Sequence, residues 1–259
     1  MPLLEFKNVN KSFLAEGRNI EAIKNVTFDV NEDEFCCLVG PSGCGKSTLL
    51  RMVAGIDRPT EGDILFHGKP IFQPDPKISM IFQTFALFPW KTVLENVEVG
   101  LDARGVPKDL AKRRELSLKY IDLVGLEGFE KSYPRELSGG MRQRVGIARA
   151  LVVEPEVLLM DEPFSSLDAL TAETLRKEVL RMWEDPSIPI KTCLMVTHNV
   201  LEAVYMADRV VVMSPRPGMI IGDLKIDLHR PRNLKDSAFF DIHDKIISLI
   251  SKYTFQPTE

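Results

Sequence analysis

Two stretches near the start of the chain alternate apolar and polar positions. Leu3 opens "LLEFKNV" and Ile20 opens "IEAIKNVTFDV"; a period of two belongs to half-buried strands, so the pair predicts an antiparallel sheet. "FCCLVG", Phe35 to Gly40, is instead a continuous apolar run entering a glycine turn, the mark of a strand buried on both faces. "KSTLLRMVAG" then takes up helical spacing, with a stop expected at Gly55. Apolar strands with polar ends return in "VLLMDE" (Val157 to Glu162), "TCLMVTH" (Thr192 to His198) and "DRVVVMS" (Asp208 to Ser214), with helical stretches between them. Buried strands alternating with helices imply a parallel sheet covered on both faces. Between Thr92 and Leu151 the period turns helical, including "PKDLAKRRELSLKYIDLVGL" with Pro107 near its start and Gly125 near its end, and this reads as a helical insertion. "DSAFFDIHDKIISLI" predicts a terminal amphipathic helix. Its polar face is not rich in Lys or Arg, so a helix docked on the body is favoured over a membrane role.

Composition narrows the classes. With 259 residues and 44% hydrophobic content the chain can bury a full core as one large domain or two small ones. The 33 Lys and Arg against 37 Asp and Glu give a net charge of -4, which excludes the broad positive field of a dedicated nucleic-acid binder. No apolar run reaches the ~18 residues of a membrane span, and "MPLLEFKNVN" lacks the pattern of a signal peptide. The reading is a chain soluble by itself and not exported. Cys36, Cys37, Cys44 and Cys193 show no paired spacing, which fits a reducing compartment, and the three outside the glycine-rich loop are expected in the core.

The chemistry begins at "GPSGCGKST". Gly40, Gly43 and Gly45 let backbone N–H groups turn inward around phosphates, Lys46 supplies a point charge to the β and γ phosphates, and Ser47 offers a hydroxyl to Mg²⁺. Pro41, Ser42, Cys44 and Thr48 complete the same ATP-binding stretch, Cys44 through its backbone N–H alone. The following helix adds its positive N-terminal end. "VLLMDE" supplies what the loop lacks: Asp161 to hold Mg²⁺ and Glu162 to orient or deprotonate an attacking water. His198 ends a buried strand on the edge where ligands of open α/β sheets gather. Gln83 follows a short apolar run and by itself carries no assignment. "LSGGMRQRVGIARA", from Leu137, places two glycines before a helix, half of an anion site with no lysine after them.

Taken in order, these elements resemble the nucleotide-binding subunits of ATP-binding cassette transporters, from about Leu4 to about Asp227: an aromatic at Phe13, the phosphate loop, Gln83, "LSGG", "VLLMDE", "SSLD" at Ser165 to Asp168, and His198. The resemblance implies an α/β fold: a phosphate-loop NTPase core of mostly parallel sheet flanked by helices, an N-terminal antiparallel β subdomain and an inserted helical subdomain. It implies an ATP-binding domain over 1–235 with the helical insertion at about 86–151, and a helical tail over 236–259. It also explains the half-site, since such ATPases pair head to tail and Ser138, Gly139 and Gly140 of one subunit close over the γ phosphate held by the other. Phe13 would stack on adenine, Gln83 would sense Mg²⁺ and the attacking water, Asp168 would organise the dimer interface, and His198 would contact the γ phosphate. The chain departs from the common pattern at Phe13 (Tyr is commoner), Met141 (Gln) and Ser166 (Ala), none of which removes a charged or catalytic group.

The implied function is an ATPase motor, using ATP and Mg²⁺, peripheral on the cytoplasmic face of the cell membrane. Its expected partners are a second ATPase subunit, identical or paired, separate membrane permease subunits, and indirectly an extracytoplasmic solute-binding protein; no nucleic acid is expected. "TFALFPW", after Gln83, offers Phe85, Leu87, Phe88 and Trp90 as the permease-facing surface. "VVVMSPRPGMI" resembles the importer subgroup for nitrate, sulfonates and taurine. The alternatives are the motor of another importer or an exporter, or a soluble cassette ATPase outside transport, whose relatives tend to carry features missing here such as coiled-coil insertions.

Overall fold

The structure, a computed structural model, describes residues 2–15, 17–104 and 109–254. In chain order the strands and helices are β1 (Pro2–Ala15), β2 (Arg18–Asn31), β3 (Glu34–Val39), α1 (Lys46–Val53), β4 (Glu61–Phe66), β5 (Lys69–Pro70), β6 (Ile78–Ile81), α2 (Val93–Arg104), α3 (Leu110–Leu123), α4 (Gly139–Leu151), β7 (Val157–Asp161), α5 (Ala169–Glu184), β8 (Thr192–Thr197), α6 (Val200–Met206), β9 (Arg209–Met213), β10 (Ile220–Lys225) and α7 (Ser237–Thr254). They form two compact units, Met1–Asp75 with Lys191–Glu259, and Pro76–Ile190.

In the first unit the alternating stretches pair as expected. β1 runs antiparallel to β2, with Glu5 opposite Asp29 and Phe6 opposite Phe28, whose rings stack at 4.1 Å. β4 flanks β1 on its other side. Beside this sheet lie the buried strands: β3 is parallel to β8 and to β9, with Cys37 opposite Met195 and Val210. Every residue of β3 from Phe35 to Val39 is buried, and a fully buried Leu or Phe stabilises by about 1.5–3 kcal/mol. Leu38→Ala would cost about 2–5 kcal/mol through lost contacts and a residual cavity. All four cysteines are buried and free, as core packing requires. Burial pushes the Cys37 and Cys193 thiols well above their ordinary range, so they are inert.

β10 adds an antiparallel edge to β9, a feature the parallel pattern did not announce. Arg209 ties that edge down, gripping Asp223 through both guanidinium arms at 2.6 Å and reaching Glu34 at 3.3 Å. α7 docks on α6, β9 and β10 through buried Phe239 and Ile246.

The second unit holds the helical insertion. α4 packs on α2, α3 and β6, and β6 pairs in parallel with β7, Ile78 opposite Val157. Gly100 lets α2 approach α4 closely, since a Cβ there would stand 2.5 Å from the Arg149 carbonyl. α3 starts at Leu110, capped by the Asp109 side chain accepting from Ala111 N at 2.9 Å, and Gly125 at φ 69° follows its end. Pro107, expected near that start, lies outside the described residues.

Candidate functional site

The phosphate-loop residues lie in the first unit. β3 delivers the chain to Gly40, and α1 leaves from Lys46. The three glycines have different reasons to be there. Gly43, at φ 79°, is left-handed with nothing near a would-be side chain. Gly45, at φ 104°, is left-handed and also walled in, because a Cβ would stand 2.7 Å from Ile23 Cγ1. Gly40 is needed for close approach, its Cβ position being 2.8 Å from the Met213 carbonyl. The loop is thus tight on one side and open at Gly43. Lys46 is buried and its ammonium donates to the carbonyls of Gly40 at 2.8 Å and Pro41 at 3.0 Å, which holds the positive charge against the loop. α1 has no side-chain cap and no acidic residue in its first turn, leaving its positive end uncompensated for an anion.

What walls the loop was not legible as function in the sequence. The Pro215–Gly218 turn joins β9 to β10, and Gly218 hydrogen-bonds across β2: its N–H donates to Ala22 O at 2.9 Å and its carbonyl accepts from Lys24 N at 3.1 Å. A side chain on Gly218 would collide with the Cys44 carbonyl. The turn therefore clips β2 and the loop together, and Ser214 Oγ fastens its ends by accepting from Met219 N at 3.0 Å and donating to Pro217 O at 3.0 Å.

Phe13 sits on β1, 41% exposed, with the Lys11 ammonium 5.0 Å from its ring centroid and Lys11 anchored on Asp57 at 2.5 Å. His198 is exposed at the end of β8. Its neighbours are fixed to α6: Asn199 caps the helix, accepting from Leu201 N at 3.0 Å, and Thr197 Oγ1 donates to buried Glu202 at 2.9 Å. Arg232 caps the other end of α6 on the carbonyls of Val204 at 2.7 Å and Ala207 at 2.5 Å.

The remaining candidates lie in the second unit. β7 ends at buried Asp161, followed by Glu162 in a left-handed conformation at φ 44°. Gln83 comes to Glu162 here, its Nε2 donating to the carboxylate at 3.4 Å and reaching Ser165 Oγ at 3.5 Å. Ser165 Oγ donates to the Glu162 carbonyl at 2.9 Å, fixing the turn beneath the carboxylate.

"LSGG" starts α4. Ser138 is its cap, accepting from Met141 N at 3.2 Å, and Gly140 is required by proximity, because a Cβ would stand 2.5 Å from Thr171 Cγ2. Thr171 belongs to the first turn of α5, which Asp168 caps by accepting from Thr171 N at 3.0 Å. Hydrogen bonds from Thr171 hold the Asp168 carboxyl below the usual aspartate range. The structure therefore brings Gln83, Glu162 and Ser165 together, and joins Gly140 of "LSGG" through Thr171 to Asp168 at the other end of "SSLD". After Gln83, Trp90 is 70% exposed, while Phe85, Leu87 and Phe88 are half-buried. Buried Asn96 of α2 pins this loop, accepting from Phe88 N at 2.8 Å and donating to Lys91 O at 2.9 Å.

The sequence profile described as "ABC transporter" matches residues 23–165. The chain belongs to the ABC transporter family. It is similar to the nitrate import ATP-binding protein of Synechocystis sp., 43% identical over 99% of this chain and 98% of that protein. It is also 42% identical to the aliphatic sulfonates import ATP-binding protein of Bacillus cereus, over 92% of each. Among solved structures, a dimeric ATP-binding cassette in a post-hydrolysis state bound to ADP and phosphate superposes with a TM-score of 0.76 at 32% identity, over 87% of this chain and all of that one. This ABC chain is an ATP-binding, ATP-hydrolysing subunit, with the phosphate-loop NTPase fold that the sequence predicted. Among the described residues no helix is long and apolar enough to cross a membrane.

Proposed function

We propose that this ABC subunit is the motor of an importer for a small oxyanion such as nitrate, a sulfonate or taurine, peripheral on the cytoplasmic face of the membrane. The observation that carries the catalytic reading is the cluster of Gln83, Glu162 and Ser165 at the end of β7. Glu162 accepts a proton from a water whose oxygen attacks the γ phosphorus; the bond to the β–γ bridging oxygen breaks, and ADP and phosphate leave. Gln83 orients that water. Lys46 and the loop N–H groups hold the β and γ phosphates, Phe13 stacks on adenine, and His198 contacts the γ phosphate.

Mg²⁺ belongs to this reading. The Ser47 hydroxyl, the Asp161 carboxylate and the Gln83 amide are hard oxygen donors. So few protein oxygens suit an ion that keeps waters and takes the rest of its shell from phosphates. When bound, it would neutralise charge on the transferring phosphoryl group. The uncharged half-site built by Ser138, Gly139 and Gly140 suits a γ phosphate whose main cation lies on another subunit, hence a head-to-tail pair in which Asp168 lies at the interface. Separate permease subunits take the Trp90 loop, and a solute-binding protein outside the membrane delivers the cargo. The names of the nitrate and sulfonate relatives support the oxyanion.

Two measurements test the reading. Glu162→Gln should bind ATP without turning it over and run as a stable dimer on size exclusion in ATP; hydrolysis at the parental rate would remove Glu162 from its role. A deletion strain should lose growth on nitrate, alkanesulfonate or taurine as sole nitrogen or sulfur source. Normal growth on all three, with a defect for a cationic or neutral nutrient, would overturn the cargo and leave the motor standing.

A further inference from the structure

Two residues after Gln83 the backbone does something its sequence does not invite. Phe85 and Ala86 are both left-handed, at φ 53° and 49°, and neither is glycine. Such a pair persists only where its surroundings fix it. Ala86 N donates back to the Thr84 carbonyl across Phe85, and one side chain grips the turn from outside. Arg149, in the last turn of α4, donates Nη1 to the Ala86 carbonyl at 2.6 Å and Nη2 to the Phe85 carbonyl at 2.9 Å. The two arms of a planar fork meet two successive carbonyls, a geometry that lysine cannot reproduce. Burial lowers the pKa of Arg149, so these carbonyls stand in for water it has given up.

Two more residues of α4 border the same turn. A Cβ at Gly146 would stand 3.6 Å from the Phe85 carbonyl, in ordinary contact, and the Arg142 guanidinium lies 6.0 Å from the Phe85 ring centroid. Residues 142, 146 and 149 share one helix face at spacings of four and three. The helix that grips the turn is the one whose first turn carries Ser138, Gly139 and Gly140. The turn itself has Gln83 on one side and the loop with exposed Trp90 on the other.

We propose that Arg149 is a positioning residue that locks the Gln83 turn onto the "LSGG" helix, so that a push on the Trp90 loop moves Gln83 and Ser138 together. Arg149 touches neither nucleotide nor water in this account. It makes the partner-facing loop, the residue beside Glu162 and the lid of the second subunit parts of one body. The inference rests on the roles proposed above for Gln83 and Ser138.

The chain has two tryptophans, Trp90 and Trp183, so Trp183→Phe leaves Trp90 as the sole reporter of the loop. In that background, Arg149→Ala is expected to raise acrylamide quenching of Trp90 and lower its anisotropy without any nucleotide present. Turnover should fall by about tenfold, short of the roughly 10²-fold that a full 1 Å misplacement of catalytic groups costs, while KM for ATP holds, because Arg149 lies outside the phosphate loop. Arg149→Lys should fall between the two and carries the test if the alanine variant does not fold. A folded variant, with circular dichroism unchanged, whose Trp90 quenching and turnover both match the background overturns the lock. Glu162→Gln measured alongside keeps the readings apart, since Trp90 quenching reports on the lock without hydrolysis, and hydrolysis in Glu162→Gln reports on the catalytic assignment alone.

Discussion

Gly45 and the Phe85–Ala86 pair occupy the same left-handed region of backbone space, at φ 104° in one unit and 53° and 49° in the other. At Gly45 the conformation is encoded where it occurs: glycine enters it freely, and the missing side chain also clears Ile23. At Phe85 and Ala86 it is imposed, costs on the order of 1–3 kcal/mol per residue, and is offset by the grip of Arg149, 63 residues away from Ala86. The contrast follows the work of each region. A phosphate loop must present N–H groups in one fixed pattern, so its shape is local and its wall rigid. A turn between Gln83 and the loop proposed to meet a partner is held from a distance, by a contact that motion of its helix can carry elsewhere.

If that division is right, variants sort into turnover effects around Gln83 and affinity effects around the loop. The largest should be Glu162→Gln, which is expected to lower phosphate release by about 10²–10⁴-fold with ATP binding intact; a loss of binding in its place would dissolve the distinction. Gly218→Ala comes next. It is outside every phosphate-binding motif, yet its side chain would displace the Cys44 carbonyl. Fluorescent nucleotide titration should find ATP affinity about tenfold weaker, or about 1.4 kcal/mol, and turnover at saturating ATP near the parental rate. Parental affinity would show that the wall yields and that the loop holds its shape unaided.

Trp90→Asp should have still less effect on the isolated subunit, because an exposed position shifts stability by no more than about 0.5 kcal/mol. Its defect should be seen only with the permease present, as ATP turnover no longer linked to uptake in reconstituted vesicles. Loss of folding would make Trp90 part of the core. The smallest effect concerns pH. The folded pKa of Asp168 is depressed by its hydrogen bonds from Thr171, so its contribution to stability is fully present above the unfolded value of about 4 and lost as pH falls through the folded value. Asp168→Asn keeps a capping oxygen that does not titrate. Urea unfolding should therefore find the wild type losing ground relative to the variant below about pH 4, with no change in their difference between pH 6 and 8.

Much of this was readable from residue order. The alternation of Leu3 to Val9 and Ile20 to Val30 gave the antiparallel pair, and "FCCLVG" gave a strand buried to its last residue, because side-chain period follows directly from which faces meet water. The loop from Gly40 to Thr48 announced itself through its spaced glycines, of which Gly43 and Gly45 hold φ values that permit little else. Gln83 was different. An amide after a short strand has no signature, and only the family resemblance singled it out; its approach to Glu162 depends on a contact across 79 positions. Ser165 lay in "SSLD" and Gly218 in "VVVMSPRPGMI", yet neither segment gave its residue a role of its own, and Arg149 was given none either. The signal that could have exposed Gly218 was a glycine after two prolines, which reads equally well as a plain turn.

By itself the sequence determined the first antiparallel pair, the buried strands, the helical stretches, the phosphate cradle and the acidic end of β7, since each depends on neighbours within a few residues: periodicity, a glycine in a tight loop, a carboxylate at a strand's end. Tertiary structure decided which of those pieces are rigid together. The wall behind the phosphate loop, the amide beside Glu162 and the arginine beneath the Phe85–Ala86 turn are contacts between residues far apart in the chain. Long-range contacts of this kind carry no periodicity, because a single fork or a single missing Cβ suffices and either can come from any element that folds close enough.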